Sequence, residues 1–359
     1  MHDLVIIGAG PAGCRLASLC APFADVLVLE EHRAPGGKAC SGLVSPRFMG
    51  LLPAGVAECP GLIEHELRAA RVHLGEETLA IAKRGTAAYA VDRGVLDREL
   101  AAHAAGAGCA IRYGERVVGI SVGKGSARVA TGKGTYDCRL AAGCDGAGSV
   151  AARGIGPASR EILNGLAMTE GREDRSDCVD VWPDQAAGGF LWKIPRGERT
   201  EYGGMGKGLG FAAVERFFGL GKRRLSRSAA PIPIGTARTF SERLLLVGDA
   251  ACQTKPWSGG GLTYGLLAAQ YAAGVIKACL GKDDFSAAAL SEYERLWKGV
   301  LFKDIQAGML AREMLKDHGG LLPGLVKALC RGGGTWDKID FDFPFTGLLG
   351  ALRPKDLGT

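Results

Sequence analysis

The stretch DLVIIGAGPAG, residues 3–13, constrains the fold of this chain more than any other. Residues 3–8 form an apolar run of buried-strand type, and Gly8, Gly10 and Gly13 follow in G-x-G-x-x-G order before a helical run to about Ala21. A second strand, ADVLVLEE, ends at Glu30. Each glycine has a physical reason: Gly8 permits a tight turn, Gly10 lets the backbone approach a pyrophosphate, and Gly13 lets helix and strand pack closely. The phosphates then sit at a helix N-terminus, where N–H groups and the helix dipole favour an anion. Glu30, about 20 residues on, is placed to accept hydrogen bonds from a ribose. The motif by itself fits NAD and FAD equally.

A second stretch, LLLVGDAACQTKPWSGGGLTYGLLAAQYAAGVI, residues 244–276, has no charged residue from Pro256 to Ile276. Its length is enough to span a bilayer. It is rich in Gly and Ala, includes Gln270, and is preceded by Asp249 and three consecutive glycines, which suits a helix buried between sheet and protein better than one in lipid. The net charge of +6 is spread along the chain without a like-charge run, so no nucleic-acid partner is expected, while weak attraction to anionic lipid stays open. The chain enters its first strand without a basic n-region or cleavage site, and a cytoplasmic location, with peripheral membrane contact left open, is the expectation. The eleven cysteines include no C-x-x-C pair, so neither zinc nor an iron–sulfur cluster is expected. Cys14, Cys109, Cys144 and Cys252 lie in apolar or glycine-rich surroundings and read as small reduced core residues.

Two further motifs separate the cofactors. LAAGCDGAGSVAARGIG carries Asp145 and Gly146 after a strand and before Ser149 and Arg153, and RLLLVGDAA carries Gly248 and Asp249 after another. From residue 1 to about 285 this order resembles the flavoprotein family that includes p-hydroxybenzoate hydroxylase, with its DG and GD motifs. The resemblance implies FAD, with Asp249 at the ribityl or pyrophosphate portion; the alternative for Asp249 is a helix N-cap. PWSGGG matches the family's Pro-x-x-Gly-x-Gly loop, which leads into a helix facing the isoalloxazine. Helix N–H groups there stabilise the negative charge of a reduced flavin, and Gly259, Gly260 and Gly261 let the chain lie close to the ring.

Within that superfamily, GDAACQTKPWSGGGLTYGL, YAVDRGVLDREL and GGKACSGLVSP are most similar to the geranylgeranyl reductase family. The resemblance implies that Arg93 contacts the flavin nucleotide, that Asp97 caps or pairs locally, and that Cys40, Ser41 and Gly42 lie near the active face. The implied cofactor contacts are then Gly8, Gly10, Ala12, Gly13, Glu30, Cys40, Ser41, Gly42, Arg93, Val117, Asp145, Gly146, Asp249, Gly259, Gly260, Gly261 and Leu262. The family's aromatic strand, Pro-x-x-Tyr-x-Trp-x-Phe-Pro, aligns with AGGFLWKIP, where Ala187, Phe190 and Ile194 depart from it and Trp192 and Pro195 remain. Phe190, Trp192, Pro195 and Trp257 are the implied substrate-pocket residues, although Trp192 equally suits a sheet-core tryptophan.

The fold class expected is α/β: a Rossmann-like FAD-binding domain of GR2 type (1–72, 90–160 and 240–285), interleaved with an antiparallel-sheet substrate domain (73–89 and 161–239). A helical C-terminal region, 286–359, follows, its segments GGLLPGLVKALC and FDFPFTGLLGALRPK closing a lipid tunnel, resting on a membrane surface or packing on the protein. The activity implied is reduction of carbon–carbon double bonds in a polyprenyl lipid, with Cys40 as proton donor or as a residue shaping the flavin face. The alternatives are a flavin monooxygenase and an electron-transfer flavoprotein–quinone type oxidoreductase. NAD(P)H, ferredoxin or a deazaflavin could each supply electrons, a protein donor included. Lysines and arginines at 193–199 and 222–227 are candidates for binding a lipid head group.

Overall fold

The computed structural model describes residues 1–156, 158–183, 185–317, 337 and 339–344. The first strand, His2–Ile7, pairs in parallel with Val26–Glu30 on one side and with Thr135–Gly143 on the other. Ala110–Tyr113 and Leu244–Leu246 extend the parallel sheet at its two ends, and Phe240–Ser241 adds an antiparallel edge. Val26–Glu30 is buried at every position, as a parallel strand covered on both faces must be. One face carries the helices Pro11–Cys20, Arg93–Gly106 and Leu262–Lys282 over the largest apolar core. The other is covered by Val117–Val122 and Ala127–Thr131, which join the sheet through Thr135–Gly143.

The uncharged stretch resolves into a loop and the buried helix Leu262–Lys282, packed against Pro11–Cys20 and the long helix Ala287–Asp317. Its alanines and glycines permit that close contact. Among the described residues, no helix is long and apolar enough to cross a membrane.

A seven-stranded sheet forms the second layer, in the order Ser226–Thr236, Ser159–Glu170, Thr200–Gly206, Phe190–Pro195, Cys178–Trp182, Ala69–Leu74 and Glu77–Ala82. It is antiparallel except where Cys178–Trp182 runs parallel to Ala69–Leu74. The expected boundary at residue 72 therefore needs correction, because all of Ala69–Leu74 pairs in this sheet. Period-two alternation along Phe190–Pro195 separates two faces. Phe190, Trp192 and Ile194 share one apolar cluster with Met205 and Ile234, while Leu191 joins Tyr202 and Leu166 under the helix Phe211–Phe218. A small sheet of Leu43–Val44, Ala88–Val91 and Ile63–Leu67 joins the two layers. Of the C-terminal region, Ala287–Asp317 is helical as expected, and Asp340 and Phe343 form an isolated antiparallel bridge with Asp342 and Phe343 buried. The segments GGLLPGLVKALC and TGLLGALRPK lie outside the described residues.

Candidate functional site

The glycine turn is as tight as its motif requires. Gly8 has φ +97°, and a Cβ there would stand 2.6 Å from the Cys144 carbonyl oxygen; one on Gly13 would stand 2.0 Å from that of Gly8. A Cβ on Gly10 meets nothing within 4 Å. No side chain caps the helix Pro11–Cys20. The Glu30 carboxylate is 9% exposed and accepts the backbone N–H of Ala9 (2.7 Å) and of His32 (2.9 Å). An open approach at Gly10, an uncapped helix start and an anchored acidic side chain at the end of the second strand together fit a dinucleotide.

The other motifs converge on this turn. A Cβ on Gly248 would be 3.2 Å from Cβ of Ala12, and Gly265 faces the same methyl group, so the GD turn and the helix Leu262–Lys282 meet the first helix at Ala12. Asp249 Oδ2 lies 2.5 Å from Lys38 Nζ, and Gly146, φ +73°, faces the same ammonium group. Asp249 Oδ1 also limits Gly261, where a Cβ would come within 2.7 Å. Gly260 lies over the stem of Lys255, and Gly259, φ +70°, lies against Met205 and Ile232 of the second sheet. Leu262 is the first residue of the following helix.

Three expected contacts take a different form. The Asp145 carboxylate is held by its own turn, accepting from Ser149 Oγ (2.6 Å), Val150 N (2.6 Å) and Ala151 N (3.2 Å), so it shapes the loop instead of reaching out. Burial pushes this carboxyl above its ordinary value. Val117 turns its side chain into the core with Val5 and Leu29, and stands opposite Thr131 in its strand pairing. The basic group at 193–199 is committed internally: Lys193 pairs with Asp174, Arg196 with Glu64 and Glu201, and Arg199 with Glu64 and Asp92. At 222–227, Arg223 and Arg227 pair with Glu170 and Glu215, while Lys222 and Arg224 are exposed.

Cys40, Ser41 and Gly42 lie where the two layers meet. Gly42, φ +63°, presses on Val91, whose carbonyl oxygen would be 2.4 Å from a Cβ. Its N–H points at Cys40 Sγ (3.4 Å). Arg93, 11% exposed, pairs with Asp97 at 3.0 Å, the local pairing expected for that aspartate; Asp92 caps the helix. Burial works against the Arg93 charge, yet Cys40 and Asp97 outweigh it and hold the guanidinium above its ordinary value.

On the facing sheet, Trp192 and Phe190 stand 5.4 Å apart, and Gly203 is bare beneath the indole, where a Cβ would be 2.5 Å from Trp192 Cε2. Pro195 ends the same strand, buried. Trp257 lines a cavity of about 70 Å³ with Lys255, Tyr264, Asp304 and Phe341, and none of the other three expected pocket residues borders it. Among the described residues no cluster of His, Cys, Asp and Glu could hold a metal.

Several residues of the site escaped the sequence reading. Trp192 Nε1 donates to Glu201 Oε1 (2.9 Å), and Glu201 Oε2 accepts from Arg196 (3.0 Å). Gln253, fully buried, accepts from Gly248 N (2.7 Å) and donates to Tyr293 Oη (2.9 Å), which holds the GD turn. Lys255 pairs at 2.5 Å with Asp342, which also accepts from Thr263 Oγ1 and Ser45 N. The charged residues within short apolar strands were the available signal for Arg196 and Glu201; nothing local marks Asp342 as a partner.

Comparison with known proteins agrees with this geometry. The model of the FAD binding domain family matches residues 1–202. An uncharacterized protein of Methanocaldococcus jannaschii is 30% identical over 95% of this chain and 90% of its own. A digeranylgeranylglycerophospholipid reductase of Methanococcoides burtonii is 28% identical, over 87% of this chain and 83% of its own. In fold, a geranylgeranyl bacteriochlorophyll reductase-like protein of Thermoplasma acidophilum superposes with a TM-score of 0.80 at 21% identity, covering 99% of this chain and 96% of the other. The chain belongs to the FAD binding domain family and is an FAD-dependent oxidoreductase.

Proposed function

We propose that this flavoprotein reduces carbon–carbon double bonds in a polyprenyl chain, carried by a geranylgeranyl lipid or another isoprenoid. The observation that carries the reading is the character of the wall facing the Gly259–Gly261 loop. Met205 and Ile232 stand against Gly259, and Phe190 and Trp192 continue the same sheet face. The one N–H of the indole is taken by Glu201, so the wall offers hydrocarbon and no free donor. Names of relatives add support: the Methanococcoides burtonii protein is called a digeranylgeranylglycerophospholipid reductase.

FAD, when bound and reduced, supplies the hydride that such a reduction needs, from N5. An isolated alkene is a poor hydride acceptor, so a proton must arrive at the more substituted carbon's neighbour in concert, and alignment in a dry pocket is the protein's task. Glu30, the Gly8–Gly13 turn, Asp249 and Arg93 would hold the nucleotide. The N-terminus of the helix Leu262–Lys282, approached through three glycines, would steady negative charge at the ring. Phe190 has no hydroxyl to donate, which leaves the Cys40 thiol as the candidate proton donor or as a side chain that shapes the reacting face. Trp192, Phe190 and Pro195 would line the alkene's path, and Trp257 a more distant part of it.

The test is anaerobic. Purified protein with bound FAD is reduced by dithionite and mixed with a geranylgeranyl lipid while the flavin band is followed. Reoxidation with a gain of two hydrogens in lipid mass is expected; reoxidation only on admitting oxygen or a quinone would overturn the assignment.

A further inference from the structure

We infer that Arg196 is a positioning residue for this site: one buried guanidinium fixes the Cys40–Gly42 loop and the Trp192 wall in a single register. The inference rests on the reductase reading for its consequence in turnover, and on geometry alone for the rest. The Arg196 side chain is 4% exposed. Its Nη1 donates to the Ser41 carbonyl (2.6 Å) and to Glu201 Oε2 (3.0 Å), its Nη2 to the Val91 carbonyl (2.8 Å), and its Nε to Glu64 Oε2 (2.7 Å). Glu201 passes the constraint on to Trp192 through the indole N–H. Ser41 and Val91 flank Gly42, whose positive φ and lack of side chain let the loop press on Val91. Arg196 therefore joins three segments that meet at the candidate active face: the cysteine loop, the strand Ala88–Val91 and the aromatic strand.

Only a planar fork can satisfy two carbonyls and two carboxylates at once, because its five donors are fixed in one plane. A lysine would keep the charge and lose the geometry. Arg199, in the same network, is 39% exposed and touches Glu64 and Asp92 but neither Ser41 nor Val91, so it controls for charge without the clamp.

The variants are Arg196→Lys, Arg196→Met and Arg199→Met, each purified with FAD. If Arg196 positions the loop, both Arg196 variants bind FAD within about threefold of wild type, and their kcat falls about 10- to 100-fold while KM changes by less than about threefold. Amide hydrogen exchange in peptides covering residues 40–44 then speeds up about tenfold, and Arg199→Met changes neither. Glu64→Gln is the milder variant should Arg196→Met fail to fold: freeing one side of the guanidinium should accelerate exchange at 40–44 by about two- to fivefold. Wild-type kcat in Arg196→Lys, or exchange at 40–44 as slow as in wild type, overturns the inference. If wild type itself leaves the lipid unreduced but the loop loosens in Arg196→Lys, the reductase reading fails and the positioning role stands.

Discussion

Gly10 separates a glycine needed by the fold from one needed by a ligand. Its backbone, φ −72° and ψ 178°, is open to any residue, and a Cβ there meets nothing. Gly10→Ala should therefore leave the FAD-free protein's melting temperature within about 2 °C, since alanine for glycine at a helix N-cap costs about 1 kcal/mol, a small shift in a chain of this length. Its FAD affinity should nevertheless fall, because the methyl group stands where the pyrophosphate must approach the backbone. Gly13→Ala, with its Cβ 2.0 Å from a carbonyl oxygen, should lose both, at about 1–3 kcal/mol of stability. Thermal melts of apoprotein and FAD titrations distinguish the pair, and equal behaviour of the two variants would refute the division. Cys40→Ala gives a third residue-scale result: turnover should fall while FAD remains bound, and undiminished turnover would remove the thiol from the chemistry. At this scale the glycines were legible because each is demanded by local geometry. Arg196 was not, because its partners Ser41, Val91 and Glu64 come from more than 100 residues away in the chain; Glu201 bonds Trp192 and Arg196 close by, but only once the strands Phe190–Pro195 and Thr200–Gly206 pair.

Between elements, the polar links that hold the GD turn are as consequential as the motif itself. Tyr293, on the helix Ala287–Asp317, donates its hydroxyl to the Leu246 carbonyl (2.9 Å) and accepts from Gln253, which in turn binds Gly248 N. All of these groups are buried, and burial of the phenol holds its pKa far above the ordinary value. Tyr293→Phe leaves a buried amide N–H and a carbonyl without partners, at a cost of about 1–3 kcal/mol. Urea unfolding should show a lower midpoint with an unchanged slope, together with weaker FAD binding because the turn carrying Asp249 loosens. An unaltered midpoint would mean that water replaces the hydroxyl. Strand, helix and turn were predictable here from apolar runs and glycines. The seven-stranded sheet was harder: Ala69–Leu74 alternates weakly, and only its pairing with Cys178–Trp182, distant in sequence, assigns it to the second layer.

For the molecule as a whole, the C-terminal strap ties the two layers to the flavin-loop segment. Lys83 donates to the Ile339 carbonyl from the second sheet, and Asp342, 1% exposed, reaches Lys255, Thr263 and Ser45 beside the first. Phe343 adds a ring contact with Tyr264 at 5.4 Å. No periodicity announces this strap; an aspartate between phenylalanines near the end of a chain becomes a buried ligand only when a lysine is brought to it. Burial opposes the Asp342 charge, but Lys255 and the hydrogen bonds from Thr263 and Ser45 outweigh it and hold its carboxyl below the ordinary value. A carboxylate depressed in the folded state contributes stability that is fully present above the unfolded value and is lost as pH falls through the folded one. Asp342→Asn, which keeps the shape and leaves Lys255 buried without its charge partner, should cost about 3 kcal/mol at pH 7. The gap between wild type and variant should hold down to about pH 5 and close as pH falls below 3.8. Denaturant midpoints of the two proteins at pH 7, 5 and 2.5 measure that gap directly; a gap that stays constant across the series would show that the carboxylate acts through its shape and not its charge.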